Sequence, residues 1–176
     1  MKNPEQRIGV FVDVSNMYYS AKNLYGAKVN FGAVLKAAVA GRKLIRAIAY
    51  VIRAEEIREQ AFFDALRKEG FEVRTKDLQV FWGGVKKGDW DVGMTIDMIK
   101  LANKLDVIVL VTGDGDFLPL LNYLKENKGC LVEIISFGKT TSSKLVEAAD
   151  DYLDLDLNPQ KFLIKSIKKA PRRYGD

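Results

Sequence analysis

"VIVLVTGDGDF", residues 107–117, runs five apolar residues and a threonine into two aspartates that a single glycine separates. A short continuous apolar run closed by a glycine-bearing turn reads as a strand buried on both faces, the kind that parallel sheets use. The turn is the harder part to explain. Two neighbouring carboxylates, Asp114 and Asp116, repel each other unless a proton, a cation or solvation offsets the charge, so this turn either caps a helix or holds a metal.

Three further apolar runs have the same character: "IGVFVDV" at 8–14, "LIRAIAYVI" at 44–52 and "LVEIIS" at 131–136. Between the four runs, residues 31–40, 55–70, 91–105 and 117–129 carry apolar side chains at three- and four-residue spacing, the period of a helix. Strands alternating with helices predict an α/β fold with a mostly parallel sheet. Residues 71–75 and 78–82 read as either strand or loop. "NPQKF" at 158–162 has the signature of a helix start, with Asn158 as cap and Pro159 in the first position, and the segment ends before Pro171.

The chain has 176 residues, enough for one domain with its own core. Its one cysteine, Cys130, cannot form an intrachain disulfide and opens an apolar run, so it reads as a small core residue. No charged start followed by an apolar run and a cleavage site opens the chain, and no stretch approaches the length of a membrane span. A cytoplasmic protein without a membrane partner is expected. Histidine is absent, which removes the usual base near neutral pH and the commonest transition-metal ligand. Chemistry must therefore rest on carboxylates, lysines, hydroxyls or a hard cation. The net charge is +5, and residues 161–176, with six cations against Asp176, hold the whole excess. A basic tail of this kind suits an anionic partner or simple solubility.

In an open parallel sheet, ligands bind beyond the carboxyl ends of the strands. Asp13 ends the first strand, Asp114 and Asp116 follow the third strong one, and Asp91 opens a helix. If strands 8–14 and 107–112 are neighbours, these acids meet at one rim, where each would raise the pKa of the others unless a divalent cation neutralised them. Oxygen ligands without histidine or thiol select Mg²⁺ or Mn²⁺. Each acid also has a simpler reading: Asp116 as a helix cap, Asp91 as a first-turn acid, and Asp13 with Ser15 and Asn16 as a turn. There is no GxGxxG or GxxxxGK[ST] motif, which disfavours nucleotide cofactors.

"FVDVSNM" (11–17), "KKGDWDVGMTID" (86–97), "VTGDGDF" (111–117) and "SSKLVEAADDYLDL" (142–155) resemble, in order, the four signature segments of the NYN branch of PIN-like nuclease domains. The resemblance covers roughly residues 7–155. It implies a three-layer Rossmann-like domain over residues 1–157, followed by a basic C-terminal helix or tail at 158–176. It further implies one or two Mg²⁺ or Mn²⁺ ions held by Asp13, Asp91, Asp114 and Asp116, with Asn16 orienting a ligand or bound water. Asp97 also matches an acidic position of the family, although six residues beyond Asp91 sets it about 120° round the helix. Ser142, Leu145, Ala149 and Asp150 match the last segment, whose role looks structural. Trp90 departs from the smaller aliphatic residue that the family usually carries there.

The function that the resemblance implies is metal-dependent hydrolysis of single-stranded RNA. Such strands are held by basic grooves with aromatic platforms. Candidates are Ser15, Tyr18, Lys86, Lys87, Trp90 and Thr112, with Tyr19, Phe81 and Trp82 nearby in sequence and Lys165, Lys168, Lys169, Arg172 and Arg173 in the tail. An RNA-binding regulatory module that does not cut, and a structure-selective DNA nuclease, are the competing expectations. A homodimer is left open.

Overall fold

The computed structural model describes residues 2–53 and 60–164. Its elements in chain order are β1 (Arg7–Asp13), α1 (Val14–Tyr25), β2 (Lys28–Val29), α2 (Phe31–Val39), β3 (Lys43–Arg53), α3 (Gln60–Lys68), β4 (Glu72–Asp77), β5 (Gln79–Val80) and β6 (Lys86–Lys87). They continue with α4 (Asp91–Ala102), β7 (Val107–Val111), α5 (Leu118–Lys128), β8 (Leu131–Ser136), α6 (Ser143–Ala148), β9 (Asp151–Asp154), α7 (Pro159–Phe162) and β10 (Leu163–Ile164).

Six strands form one sheet in the order β4-β3-β1-β7-β8-β9, with every neighbouring pair parallel. The four apolar runs are the four inner strands, as continuous burial on both faces requires. Alternation along each strand divides the core in two. Ile8, Val10 and Val12 of β1 face a layer built from α1, α2 and α3, while Phe11 faces the layer of α4, α5 and α6 with Met94, Leu121 and Leu145. The expected three-layer α/β architecture is present.

The edge strands β4 and β9 are polar, which explains why 71–75 read only as strand or loop and β9 was not marked. The Arg46–Glu72 and Arg53–Asp77 pairs bridge β3 and β4, placing charge along this edge of the sheet, of the kind that keeps an edge from recruiting another strand. Helix α1 was also missed from pattern. Its buried stripe is only Val14, Met17, Ser20 and Ala21, thin in apolar character and interrupted by two tyrosines. Capping defines it instead: the Asn16 amide donates to Asp13 Oδ1 at 3.1 Å, and Gly26 ends the helix in the left-handed region.

Residues 158–164, the start of the expected C-terminal segment, pack onto the α1 layer and β2. Phe162 is buried in the α1 layer, and β10 pairs antiparallel with β2 through Leu163 and Val29. The helix starting at Pro159 ends at Phe162, and Asn158 makes no side-chain cap bond. Residues 54–59, at the start of the expected 55–70 helix, lie outside the described residues, as do Lys165, Lys168, Lys169, Arg172 and Arg173. Among the described residues no helix is long and apolar enough to cross a membrane.

A candidate metal centre at the carboxyl rim

The strands β1 and β7 are neighbours, with Val12 opposite Val111. One residue further on, Asp13 and Thr112 therefore leave the sheet side by side. The Thr112 hydroxyl, wholly buried, donates to Asp13 Oδ2 at 3.3 Å and accepts from the Asp114 amide at 3.2 Å. Asn16 closes the same junction by accepting from the Gly113 amide through Oδ1 at 3.0 Å. A single hydroxyl and a single amide thus set the end of β1 against the turn after β7.

That turn is held from its far side as well. The Ser142 amide donates to the Gly113 carbonyl at 3.0 Å. A Cβ on Gly113 would stand 2.9 Å from the Thr140 carbonyl oxygen, and one on Gly115 would stand 2.8 Å from Ser142 Oγ. Both glycines are needed for this close approach. Asp114, rather than Asp116, is the capping residue: its Oδ1 accepts from the Asp116 amide at 2.9 Å and starts a short 3-10 turn over Gly115–Phe117. The expectation that Asp116 caps α5 is corrected accordingly, and the side chain of Asp116 faces the rim instead.

Carboxylate oxygens of Asp91, Asp114 and Asp116 all lie within 4.8 Å of one another. Asp91 arrives from the first turn of α4. Its pKa is raised, first by burial and then by the charges of Asp114, Asp89 and Asp116. Burial also pushes Asp13 up to about 6, with the Asn16 amide opposing and the Asp91 charge adding to the shift. Four acids held this way lack compensating charge. Oxygen-only donors set this close together fit a hard divalent cation, so the residues present suit Mg²⁺ or Mn²⁺.

The rim opens into a cleft of about 450 Å³ lined by Asp13, Ser15, Asn16, Tyr19, Ser20, Asn23, Gly88, Asp89, Trp90, Asp91, Asp114 and Thr140. Ser20, Asn23, Asp89 and Thr140 were not singled out in the sequence. Ser15, Tyr19 and Asn23 recur every four residues on α1, a signal available once that helix is known.

Five expected site residues lie elsewhere or act differently. Asp97 is not at the rim: its carboxylate accepts from Tyr50 Oη at 2.8 Å and pairs with Arg74 beside the β3–β4 edge. The 120° step round α4 has this physical result. Tyr18 turns to an apolar recess with Phe31 and Phe62, its ring edge-on to that of Tyr19, which lines the cleft instead. Trp90 lines the cleft but is half-buried, with Nε1 donating to the Val51 carbonyl at 3.1 Å and the ring edge-on to Tyr50. Lys86 and Lys87 stand outside the cleft on the β5–β6 hairpin. In the last segment, Leu145 is buried and Asp150 Oδ2 accepts from the Val132 amide at 2.8 Å, a structural role.

A family model for the NYN domain matches residues 7–156. The low amplitude and bright protein LabA of Synechococcus elongatus is similar to this chain, with 29% identity over 174 residues that cover 94% of this chain and 91% of that protein. The crystal structure of a protein of unknown function from Vibrio parahaemolyticus, VPA0982, is similar as well. It gives a TM-score of 0.83 at 31% identity, covering 93% of this chain and 99% of that one. The family match reaches from the first residue of β1 to just beyond β9, taking in the whole sheet and every acid of the rim, and the chain belongs to the NYN-domain family.

Proposed function

We propose that the protein is a metal-dependent ribonuclease of the cytoplasm that hydrolyses phosphodiester bonds of single-stranded RNA at the rim of β1, β7 and α4. The observation that carries this reading is the convergence of Asp91, Asp114 and Asp116 within 4.8 Å. Clustered negative charge facing a phosphate is a liability for a module that only binds RNA. It is an asset where the acids hold Mg²⁺ or Mn²⁺, and it agrees with membership of a family whose active members are nucleases.

In this reading Asp91, Asp114 and Asp116 hold the cation, with Asp13 at its flank. A divalent cation supplies positive charge for the attacking water and the departing oxygen. Asp13 Oδ1 and Oδ2 are fixed by the Asn16 amide and the Thr112 hydroxyl, so its carboxylate offers a proton acceptor in a set orientation. Ser15, Tyr19 and Asn23 give the cleft a neutral hydrogen-bonding wall suited to base edges and the ribose 2′-hydroxyl.

The test is to offer labelled RNA and DNA strands of one sequence with Mn²⁺, with Mg²⁺ and with chelator. Cleavage of RNA alone, in either metal and never in chelator, is expected. Cleavage of both strands at similar rates would replace the substrate, and cleavage in chelator would remove the metal.

A further inference from the structure

The cleft has an electrostatic gap. Its charged lining residues, Asp13, Asp89, Asp91 and Asp114, are all acidic, and none of its described lining side chains is a lysine or arginine. A polyanion therefore needs a foothold beyond the cleft mouth.

Directly before Gly88 and Asp89, the chain projects the β5–β6 hairpin, with Val80 opposite Lys86 and Gln79 opposite Lys87. The Phe81 amide donates to the Val85 carbonyl at 2.7 Å, and the tip turns through Gly83 and Gly84, both in the left-handed region. At this tip Trp82 is fully exposed and Phe81 half-exposed. Lys86 and Lys87 form no ion pair among the described residues. Large exposed aromatic rings are costly in water unless something covers them.

We propose that this hairpin is an RNA-anchoring arm, on which bases of a single strand stack against Trp82 and Phe81 while Lys86 and Lys87 neutralise the adjoining phosphates. Two lysines on the same hairpin as the rings favour a polyanion over an apolar protein face. Gly88 lies six residue steps from Trp82, at most about 20 Å of extended chain, so a strand leaving the cleft reaches the tip within a few nucleotides. The proposal rests on the ribonuclease reading for its geometry, but its test does not.

Binding of a fluorescein-labelled twelve-nucleotide single-stranded RNA is measured by anisotropy in chelator, where cleavage cannot contribute. Trp82→Ser is expected to weaken binding by about 5- to 100-fold, the range that one stacked base supports, and Trp82→Phe to restore most of it. Replacing Lys86 and Lys87 by glutamine lowers the dependence of log affinity on log salt by about one to two. Unchanged thermal unfolding of Trp82→Ser confirms that the fold is intact. Wild-type affinity in Trp82→Ser overturns the arm, as does failure of the wild type to bind RNA. A dimer that Trp82→Ser converts to monomer with RNA affinity intact also overturns it and assigns the tip to a second copy. Binding that behaves as expected without any metal-dependent cleavage would sink the nuclease reading and leave the arm standing.

Discussion

The Thr112 hydroxyl reaches Asp13 Oδ2 at 3.3 Å although 99 positions separate the two residues in the chain. The contact exists because β1 and β7 are adjacent and in register, and the same oxygen accepts the Asp114 amide at 3.2 Å. Thr112→Val keeps the shape and leaves both partners without their bond. It should destabilise the protein by about 1–3 kcal/mol, the cost of unsatisfied buried polar groups, and slow RNA cleavage about tenfold or more. Thr112→Ser should retain most of both. Equal loss in the two variants would mean that the methyl group, not the hydroxyl, matters.

Asp13 titrates well above the ordinary carboxylate value of 3.8, at about 6, so the native state holds its proton more tightly than the unfolded chain. The corresponding stability is complete below pH about 4 and lost as pH rises through about 6. In chelator, wild type should thus lose stability relative to Asp13→Asn between pH 4 and 7, by up to about 3 kcal/mol. Asp91, also raised, tilts the wild-type curve the same way. Denaturant midpoints of both proteins at three pH values across this range give the gap, and a gap that stays constant with pH would refute the assignment.

A cation that binds only the folded state raises its stability by mass action. At pH 7.5, Mn²⁺ at about 100 times its dissociation constant should stabilise wild type by about 2.7 kcal/mol. Asp91→Asn and Asp116→Asn should melt higher than wild type in chelator, because mutual repulsion is relieved, and gain little from Mn²⁺. Differential scanning calorimetry with and without the metal separates these effects. A full Mn²⁺ response in either variant would exclude that residue from the cation site.

Asp97 behaves differently because Tyr50 and Arg74 already occupy it. Its burial and the Tyr50 hydrogen bond make Asp97→Asn destabilising by about 1–2 kcal/mol, while Mn²⁺ affinity stays within about twofold of wild type. Isothermal titration reads the second quantity directly. Loss of Mn²⁺ binding comparable to that of Asp91→Asn would return Asp97 to the rim.

Gly113→Ala brings a methyl group to within 2.9 Å of the Thr140 carbonyl oxygen and Thr141 Oγ1. Because one of those atoms is backbone, relief requires moving the turn that carries Asp114. The variant should lose about 1–3 kcal/mol of stability and most of its Mn²⁺ affinity together. Normal metal binding in a destabilised variant would show that the turn position tolerates displacement.

These contrasts explain what was legible in the chain. The inner strands were readable because burial on both faces leaves unbroken apolar runs such as 107–111. At the edges, β4 was readable only as strand or loop and β9 not at all, since one flank faces solvent and charged residues belong there. Asp13, Asp114 and Asp116 could be grouped from topology, as strand ends in a parallel sheet share one rim, while Asp91, which opens a helix, joined them with the family pattern. Asp97 fitted the family pattern but not the helical angle, and its hydrogen bond to a tyrosine nearly fifty positions away has no local signal. Asn23 and Thr140 went unnoticed for the same reason: their place in the cleft depends on α1, whose apolar stripe is thin, and on a 3-10 turn that leaves no periodic trace.

The central claim is that the acidic rim cuts RNA through a bound cation. Its most direct test is single-turnover cleavage of a labelled single-stranded RNA in Mn²⁺ by wild type beside Asp114→Asn, with folding of both verified by calorimetry. The account predicts cleavage by wild type that vanishes in chelator and falls at least a hundredfold in the variant. Undiminished cleavage by Asp114→Asn, or a folded wild type that holds Mn²⁺ and never cuts RNA, would contradict it.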